Sequence, residues 1–344
     1  MAGTEERPRF WGFWTRGKLD LLRRYLNAFT TASQKADERI YLDLFGGQPE
    51  NRDRLTNEVL DGSARIALAT TNPPFTRLRF FELDPHAQKL RDVLLSSYPG
   101  RDVQVIAGDC NATIRSVLAQ LSSVRWAPTF AFVDPNGPDV RWSTLQALAE
   151  FKKPGLSKTE IWLLLAAGMF TRNLRLDGSV RDRDADKLTA MYGVDHWKHI
   201  YTGRVDGRLG PREAREEYVN LMRWRLEHVL GYKTTHPLEI FNEQERSIYH
   251  MIFATDHSAG DRIMTDLYNK AASEFPAMRR AARLRRTRLE DEAAGVLPLF
   301  TDDVDLAAKP VGASERLYRH TKPWQPYDDD GGRLEVPGEG TTGT

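Results

Sequence analysis

A single cysteine, Cys110, stands among the 344 residues. One thiol excludes an internal disulfide framework and any cysteine-rich zinc or iron–sulfur site built by this chain alone. Long hydrophobic runs are missing as well, since no apolar stretch approaches the ~20 residues of a membrane-spanning helix. Residues 1–9 are polar and charged, with no apolar signal core, so the sequence predicts a cytoplasmic protein with no membrane partner. No excess of one charge exists in bulk: 49 Lys and Arg oppose 48 Asp and Glu, a net of +1. Net charge therefore points to neither nucleic acid nor membrane, although basic residues crowd into 279–288 and acidic ones into 301–305 and 328–330. No internal repeat is visible. What remains, 40% hydrophobic and 28% charged residues, is ordinary for a globular protein. The length suits one large α/β domain with additions, or two modest domains.

The chain is organised around Ile40-Tyr41-Leu42-Asp43-Leu44-Phe45-Gly46-Gly47. A short apolar run ending in an acid and a glycine pair reads as a buried parallel strand entering a tight turn, where backbone can approach a ligand closely. Upstream, apolar residues at helical spacing (Leu19, Leu22, Tyr25, Leu26, Phe29) predict a helix over 18–32. The aromatics around Trp11 and Trp14 are expected to pack it onto the main domain. Downstream come a loop over 48–56, a short helix over 62–69, strands over 78–82, 103–106, 129–133 and 160–167, and helices over 85–97, 112–121 and 143–151. Five strands alternating with helices predict a doubly wound, Rossmann-like α/β sheet, mostly parallel, with helices on both faces.

Beyond residue 180 the pattern changes to helices over 184–192 and 211–230, with a turn or small hairpin at 202–210. Two strands, 238–242 and 248–255, joined by a short polar loop, predict an antiparallel pair. Helices over 260–272 and 278–293 follow. The expected division is an N-terminal helical segment (1–39), a main domain (40–275) with a helical insertion around 180–230, a basic helix (276–300) and a poorly ordered tail (301–344).

In an open α/β sheet, ligands sit beyond the carboxyl ends of the strands where their order reverses. Four strands end there on a suggestive group: Asp43 with Phe45, Gly46 and Gly47; Glu82 with Leu83; Gly108 and Asp109 with Cys110; and Asp134. An acid after the second strand can accept hydrogen bonds from ribose hydroxyls, and one after the third from an adenine amine. Together they predict a pocket for an adenosine-containing cofactor. A dinucleotide needs G-x-G-x-x-G so that its pyrophosphate can rest on a helix N-terminus. Here the glycines are adjacent, Gln48-Pro49-Glu50-Asn51 follows, and Glu82 lies too far from Asp43 for the tight dinucleotide unit. S-adenosylmethionine carries no pyrophosphate, and the antiparallel pair suits a methyltransferase-type sheet. That cofactor is the expectation.

With these residues placed, the chain resembles the class I S-adenosylmethionine-dependent methyltransferases, and within them the three-Cys-motif partner family of bacterial proteins. The matching stretches are Trp14 with Lys18-Leu19-Asp20-Leu21-Leu22 and Tyr25-Leu26, Tyr41-Leu42-Asp43-Leu44-Phe45, Gly62-Ser63, Phe81-Glu82, Gly108-Asp109, Phe132-Val133-Asp134-Pro135 and Ile252-Phe253-Ala254-Thr255. The resemblance spans roughly 10–300 and implies a radical-S-adenosylmethionine protein with three cysteines as partner. It departs at Gln48 or Pro49, where the family usually carries a further glycine, and at Asn136, where an aromatic is common. In amino-methyltransferases the D/N-P-P-[YF] turn holds the target amine. Asp134-Pro135-Asn136-Gly137 keeps the acid and first proline and loses the aromatic wall.

Methyl transfer is an in-line displacement whose main needs are proximity and orientation. Asp134 is thus the candidate for orienting or deprotonating an acceptor, with Asn136 assisting. Two functions stay open: a methyltransferase for nucleic acid or another large acceptor, and a catalytically degenerate cofactor-binding partner. Cys110 reads as a packed small residue rather than a nucleophile. His196 and His199 lack a third ligand at metal-site spacing, so no metal is expected. His257 is expected near the crevice rim. Asp84-Pro85 reads as a structural turn, and the arginine helix as a solvated face or a phosphate-binding one.

Overall fold

The computed structural model describes residues 10–53, 58–168, 174–242, 244–293 and 323–324. Its organising element is a seven-stranded sheet. In chain order the strands are β1 (Phe10–Trp11), β2 (Ile40–Asp43), β3 (Glu50–Asp53), β4 (Val59–Asp61), β5 (Arg77–Glu82), β6 (Val103–Ala107), β7 (Thr129–Val133), β8 (Glu160–Leu165), β9 (Thr234–Phe241) and β10 (Ser247–Thr255). The large sheet runs β6-β5-β2-β7-β8-β10-β9. From β6 to β8 all pairs are parallel, whereas β10 is antiparallel to both β8 and β9. The chain builds outward from β2 to β6, returns to β7, and builds the other way. That reversal between β2 and β7 is the topological switch point of a doubly wound, Rossmann-like fold.

The helices are α1 (Phe13–Ala32), α2 (Ser63–Ala69), α3 (His86–Ser97), α4 (Cys110–Gln120), α5 (Trp142–Glu150), α6 (Asp182–Tyr192), α7 (Trp197–Val205), α8 (Pro211–His228) and α9 (Ser258–Ala293). Because strand side chains alternate, β2 feeds two cores. Ile40 and Leu42 join the buried cluster under α4–α8, while Tyr41 joins the one under α1, α2, α3 and α9. All four β2 residues are buried, as a central parallel strand requires. On α1, Leu19, Leu22, Tyr25, Leu26 and Phe29 are buried at helical spacing. Tyr25 packs against Phe130 and Phe253 at ring-centroid distances of 5.3 and 5.0 Å.

Several expectations shift. The loop expected over 48–56 contains β3, which with β1 and β4 forms a separate three-stranded sheet. These strands are two to four residues long, too short to show the alternation that marks a half-buried strand, and β3 itself is wholly polar. The turn expected at 202–210 begins as helix, since α7 extends to Val205. Two C-terminal helices are one: α9 runs unbroken through Pro276. A proline inside a helix removes one i→i−4 bond, and tertiary packing carries the helix across it. Here Phe275 lies against Gly17 of α1, where an added Cβ would meet its ring at 2.9 Å. The tail expected to be poorly ordered lies outside the described residues, apart from Pro323 and Trp324. These two dock on the helical face: the Trp324 N–H donates to Glu217 at 3.0 Å and its carbonyl lies 3.0 Å from His196 Nε2.

Candidate functional site

Beyond the carboxyl ends of β2, β5, β6 and β7 lies a cavity of about 930 Å³. Its walls are the loops that follow those strands, the start of α1, and the segment joining the small sheet to α2. A web of backbone bonds fastens the loops to one another. Gly46 N–H donates to Phe81 O at 2.8 Å, and Gly108 N–H donates to Glu82 O at 2.9 Å. The Glu82 carboxylate accepts from Gly47 N–H at 2.6 Å and from Leu83 N–H at 3.0 Å. Gly47 has φ +61°, the left-handed region that glycine enters without steric cost, and so its N–H reaches Glu82. Gly62 is required by crowding instead, because a Cβ there would meet Gln48 O at 2.3 Å.

Asp109 caps α4, its Oδ1 accepting from Asn111 N–H at 2.8 Å and from Asn111 Nδ2 at 2.9 Å. Asn111 also spans to the loop after β7. Its Nδ2 donates to Asp139 O at 2.8 Å, and its Oδ1 accepts from Arg141 N–H at 2.9 Å and Thr144 Oγ1 at 2.8 Å. The same loop is braced by Lys187, whose Nζ pairs with Asp139 at 2.8 Å. Asp134, at the start of this loop, pairs through Oδ2 with Lys18 of α1, and both side chains are mostly shielded from solvent.

Of the residues singled out from sequence, Phe45, Gly46, Gly47, Glu82, Leu83, Gly108, Asp109, Cys110, Asp134 and Asn136 all line this one cavity. Asp43 does not. It is fully buried beneath the floor, where Tyr41 Oη donates to it at 3.2 Å, Phe45 N–H at 3.3 Å, and the Ser63 hydroxyl also bonds it. Burial pushes its carboxyl up to about 7, with the nearby Asp134 adding to the rise. Its observed role is to hold the first turn and α2 together from below. Burial likewise pushes the Cys110 thiol up to about 12, reinforced by Asp109, so it stays an inert thiol on the cavity wall.

No family model matches the chain, and no curated protein matches it. Among solved structures it is similar to yhhF, a putative methyltransferase from Escherichia coli, at 18% identity over 43% of this chain and 68% of that one, TM-score 0.28. Another is protein LPL1258 from Legionella pneumophila str. Philadelphia 1, at 12% identity over 75% and 92%, TM-score 0.42. A third is the methyltransferase domain of bacterial CtHen1-C, at 13% identity over 69% and 97%, TM-score 0.34. At these scores none of them bears on the chemistry of the site, which rests on its own residues.

Sequence reasoning missed Lys18, Asn111 and Lys187. Lys18 sits one position before the apolar stripe of α1, and its place in the site becomes visible only once that helix is laid across the end of β7. His257, expected at the crevice rim, lies elsewhere. Because β10 is antiparallel to β8, Ala254 pairs with Ile161, so the end of β10 meets the start of β8. His257 therefore lines a second cavity, of about 210 Å³, together with Glu160 at the start of β8. His196 and His199 pack ring against ring at 5.2 Å. Among the described residues no cluster of three His, Cys, Asp or Glu is placed to hold a metal, and no helix is long and apolar enough to cross a membrane.

Proposed function

We propose that the chain binds S-adenosylmethionine in the 930 Å³ cavity and transfers its methyl group to a macromolecular acceptor. One observation carries this reading: acids from three successive strand ends, Glu82, Asp109 and Asp134, line one cavity at the switch point of the sheet. The volume falls within the roughly 300–1,000 Å³ of small-ligand sites.

The donor set fits the cofactor. Six carboxylates line the cavity (Glu82, Asp84, Asp109, Asp134, Asp139, Asp186) against three cations, Lys18, Arg141 and Lys187. Lys18 and Lys187 are already paired to carboxylates of the same cavity. Such a lining favours a positively charged sulfonium and disfavours a pyrophosphate. When bound, the cofactor supplies an electrophilic methyl group. Each Glu82 oxygen takes one backbone N–H and keeps a lone pair for a ribose hydroxyl. Asp109 Oδ2 has capacity for an exocyclic amine. Asp134, through Oδ1, the oxygen not bonded by Lys18, would orient an acceptor and take its proton, with Asn136 of the same cavity assisting.

A second reading, binding without transfer, is favoured by the same ion pair, because the Lys18 ammonium already takes one oxygen of the carboxylate that would orient an acceptor. Asn136 in place of an aromatic wall points the same way. A radical-S-adenosylmethionine protein with three cysteines as partner belongs with this reading. Titration calorimetry with S-adenosylmethionine and with its demethylated product tests the pocket, and absence of heat for both would overturn either reading. Transfer of labelled methyl to DNA, RNA or cell extract, lost in Asp134→Ala, supports catalysis. Tight binding with no transfer supports the partner reading.

A further inference from the structure

The carboxyl-terminal half of α9 is an arginine-rich arm on the cavity side of the sheet. Its direction follows from where it starts and from four contacts along its length. α9 begins at Ser258, just after β10 ends at the amino edge of the parallel strands. It then runs alongside α1, with Arg24 pairing to Glu274 at 3.3 Å and Phe275 against Gly17, next to the cavity residue Lys18. One turn on, Arg279 lies over the Phe241 ring at 5.7 Å and pairs with Glu245 at 3.3 Å, both at the carboxyl end of β9. Residues 276–288 continue for about 20 Å at ~1.5 Å per residue, past the edge where the cavity opens.

Six arginines and no acid fall within 279–288. Beyond the buried Ala282, residues 283–288 are all exposed. The arginines are spread around the helix, and Leu284 is the one large apolar side chain exposed in this stretch. That pattern gives no apolar face to lie in a bilayer. It does match a polyanion, because the arginine stretch covers about 14 Å, the length of roughly four phosphates of one strand at ~3.4 Å each. The cavity itself is lined by carboxylates, which repel a phosphate backbone while admitting an uncharged base. A basic arm outside an acidic cavity separates the two tasks.

We infer that the α9 arm is a docking surface for the phosphate backbone of a nucleic acid. Docking is independent of the cofactor, and only its role in presenting a methyl acceptor rests on the methyl-transfer reading. The test is fluorescence anisotropy of the full chain with labelled single-stranded RNA, single-stranded DNA and duplex DNA, compared with the variant Arg280→Gln/Arg283→Gln/Arg285→Gln/Arg288→Gln. For about four phosphates neutralised, affinity of the wild-type protein should fall roughly 50- to 150-fold between about 50 and 200 mM salt. The variant should bind at least about 30-fold more weakly at the lower salt, with a nearly flat salt dependence. Its circular dichroism and its calorimetric response to S-adenosylmethionine should be unchanged, since none of the four lines the cavity. Which probe binds best identifies the source of the phosphates. The inference is overturned if no probe binds the wild type at low salt, if the variant binds with the same affinity and slope, or if anionic phospholipid vesicles or an acidic polypeptide bind the arm in preference. Nucleic-acid binding without any cofactor heat would keep the docking surface and remove the methyl-transfer reading.

Discussion

Substituting Glu160 by glutamine should make the protein more stable relative to wild type as pH rises. Glu160 is 6% exposed at the start of β8, with Tyr25 Oη donating to one oxygen at 2.5 Å and Thr255 Oγ1 to the other at 2.9 Å. Burial pushes its carboxyl up from 4.5 to about 7; the two hydroxyl bonds oppose the rise and Asp256 adds to it. Between those values the folded protein holds a proton that the unfolded chain has released. Its contribution to stability is therefore fully present below about 4.5 and is lost as pH climbs through about 7. The full span corresponds to on the order of 3 kcal/mol. A glutamine side chain at this position would be neutral throughout and similar in shape. The difference between E160Q and wild type should thus widen in the variant's favour by about 2 kcal/mol between pH ~5.5 and ~8.5. With ~2.1 cal/mol/K of unfolding entropy per residue, this chain should show about 3 °C in melting temperature. Differential scanning calorimetry at the two pH values measures it. Asp43, also raised to about 7 by burial, leaves a residual slope of the same sign in both proteins. Equal destabilisation of E160Q at both pH values would refute the reasoning, because it would mean that the carboxylate is ionised in the folded protein and held by its two hydroxyl donors.

Three further outcomes are expected. Glu82→Gln keeps the shape and removes the charge that accepts Gly47 and Leu83 N–H, so stability should drop by about 1 kcal/mol in urea titration. The same variant should bind S-adenosylmethionine at least ~10-fold more weakly by calorimetry, and unchanged affinity would remove Glu82 from the pocket. Gly47→Ala places a Cβ at φ +61°, which should cost about 1–2 kcal/mol of stability, read from the denaturant midpoint, even though that Cβ would meet nothing tighter than an ordinary contact with Phe45 O at 3.8 Å. Cys110, buried and raised to about 12, should resist a thiol reagent at pH ~8 in the folded protein and react promptly after unfolding; equal rates would contradict its burial.

Much of this architecture is legible in the residues themselves. Apolar runs ending on Asp43, Glu82, Asp109 and Asp134 mark parallel strands whose carboxyl ends share an edge, and the short polar loop before Ser247 marks the antiparallel pair. What sequence reading loses is direction and depth. Asp43 looks like its neighbours until the register sets it between Phe80 and Phe132, inside the sheet rather than on its rim. His257 follows a strand as the acids do, but an antiparallel strand delivers its end to the opposite edge. Strands as short and polar as Glu50–Asp53 carry no periodicity to detect. Lys18 and Asn111 act across long separations in sequence, and local patterns carry no record of such pairings.

The position of α1 sets a practical boundary. Its inner face supplies Leu22, Tyr25, Leu26 and Phe29 to the same cluster that holds Tyr41, Phe130 and Trp162. A truncated protein starting at Ile40 would begin on the central strand yet leave that aromatic layer facing water, and Asp134 without its lysine. Expression trials that trim the chain there should yield aggregates, whereas trimming ahead of Phe10 leaves every described strand and helix in place.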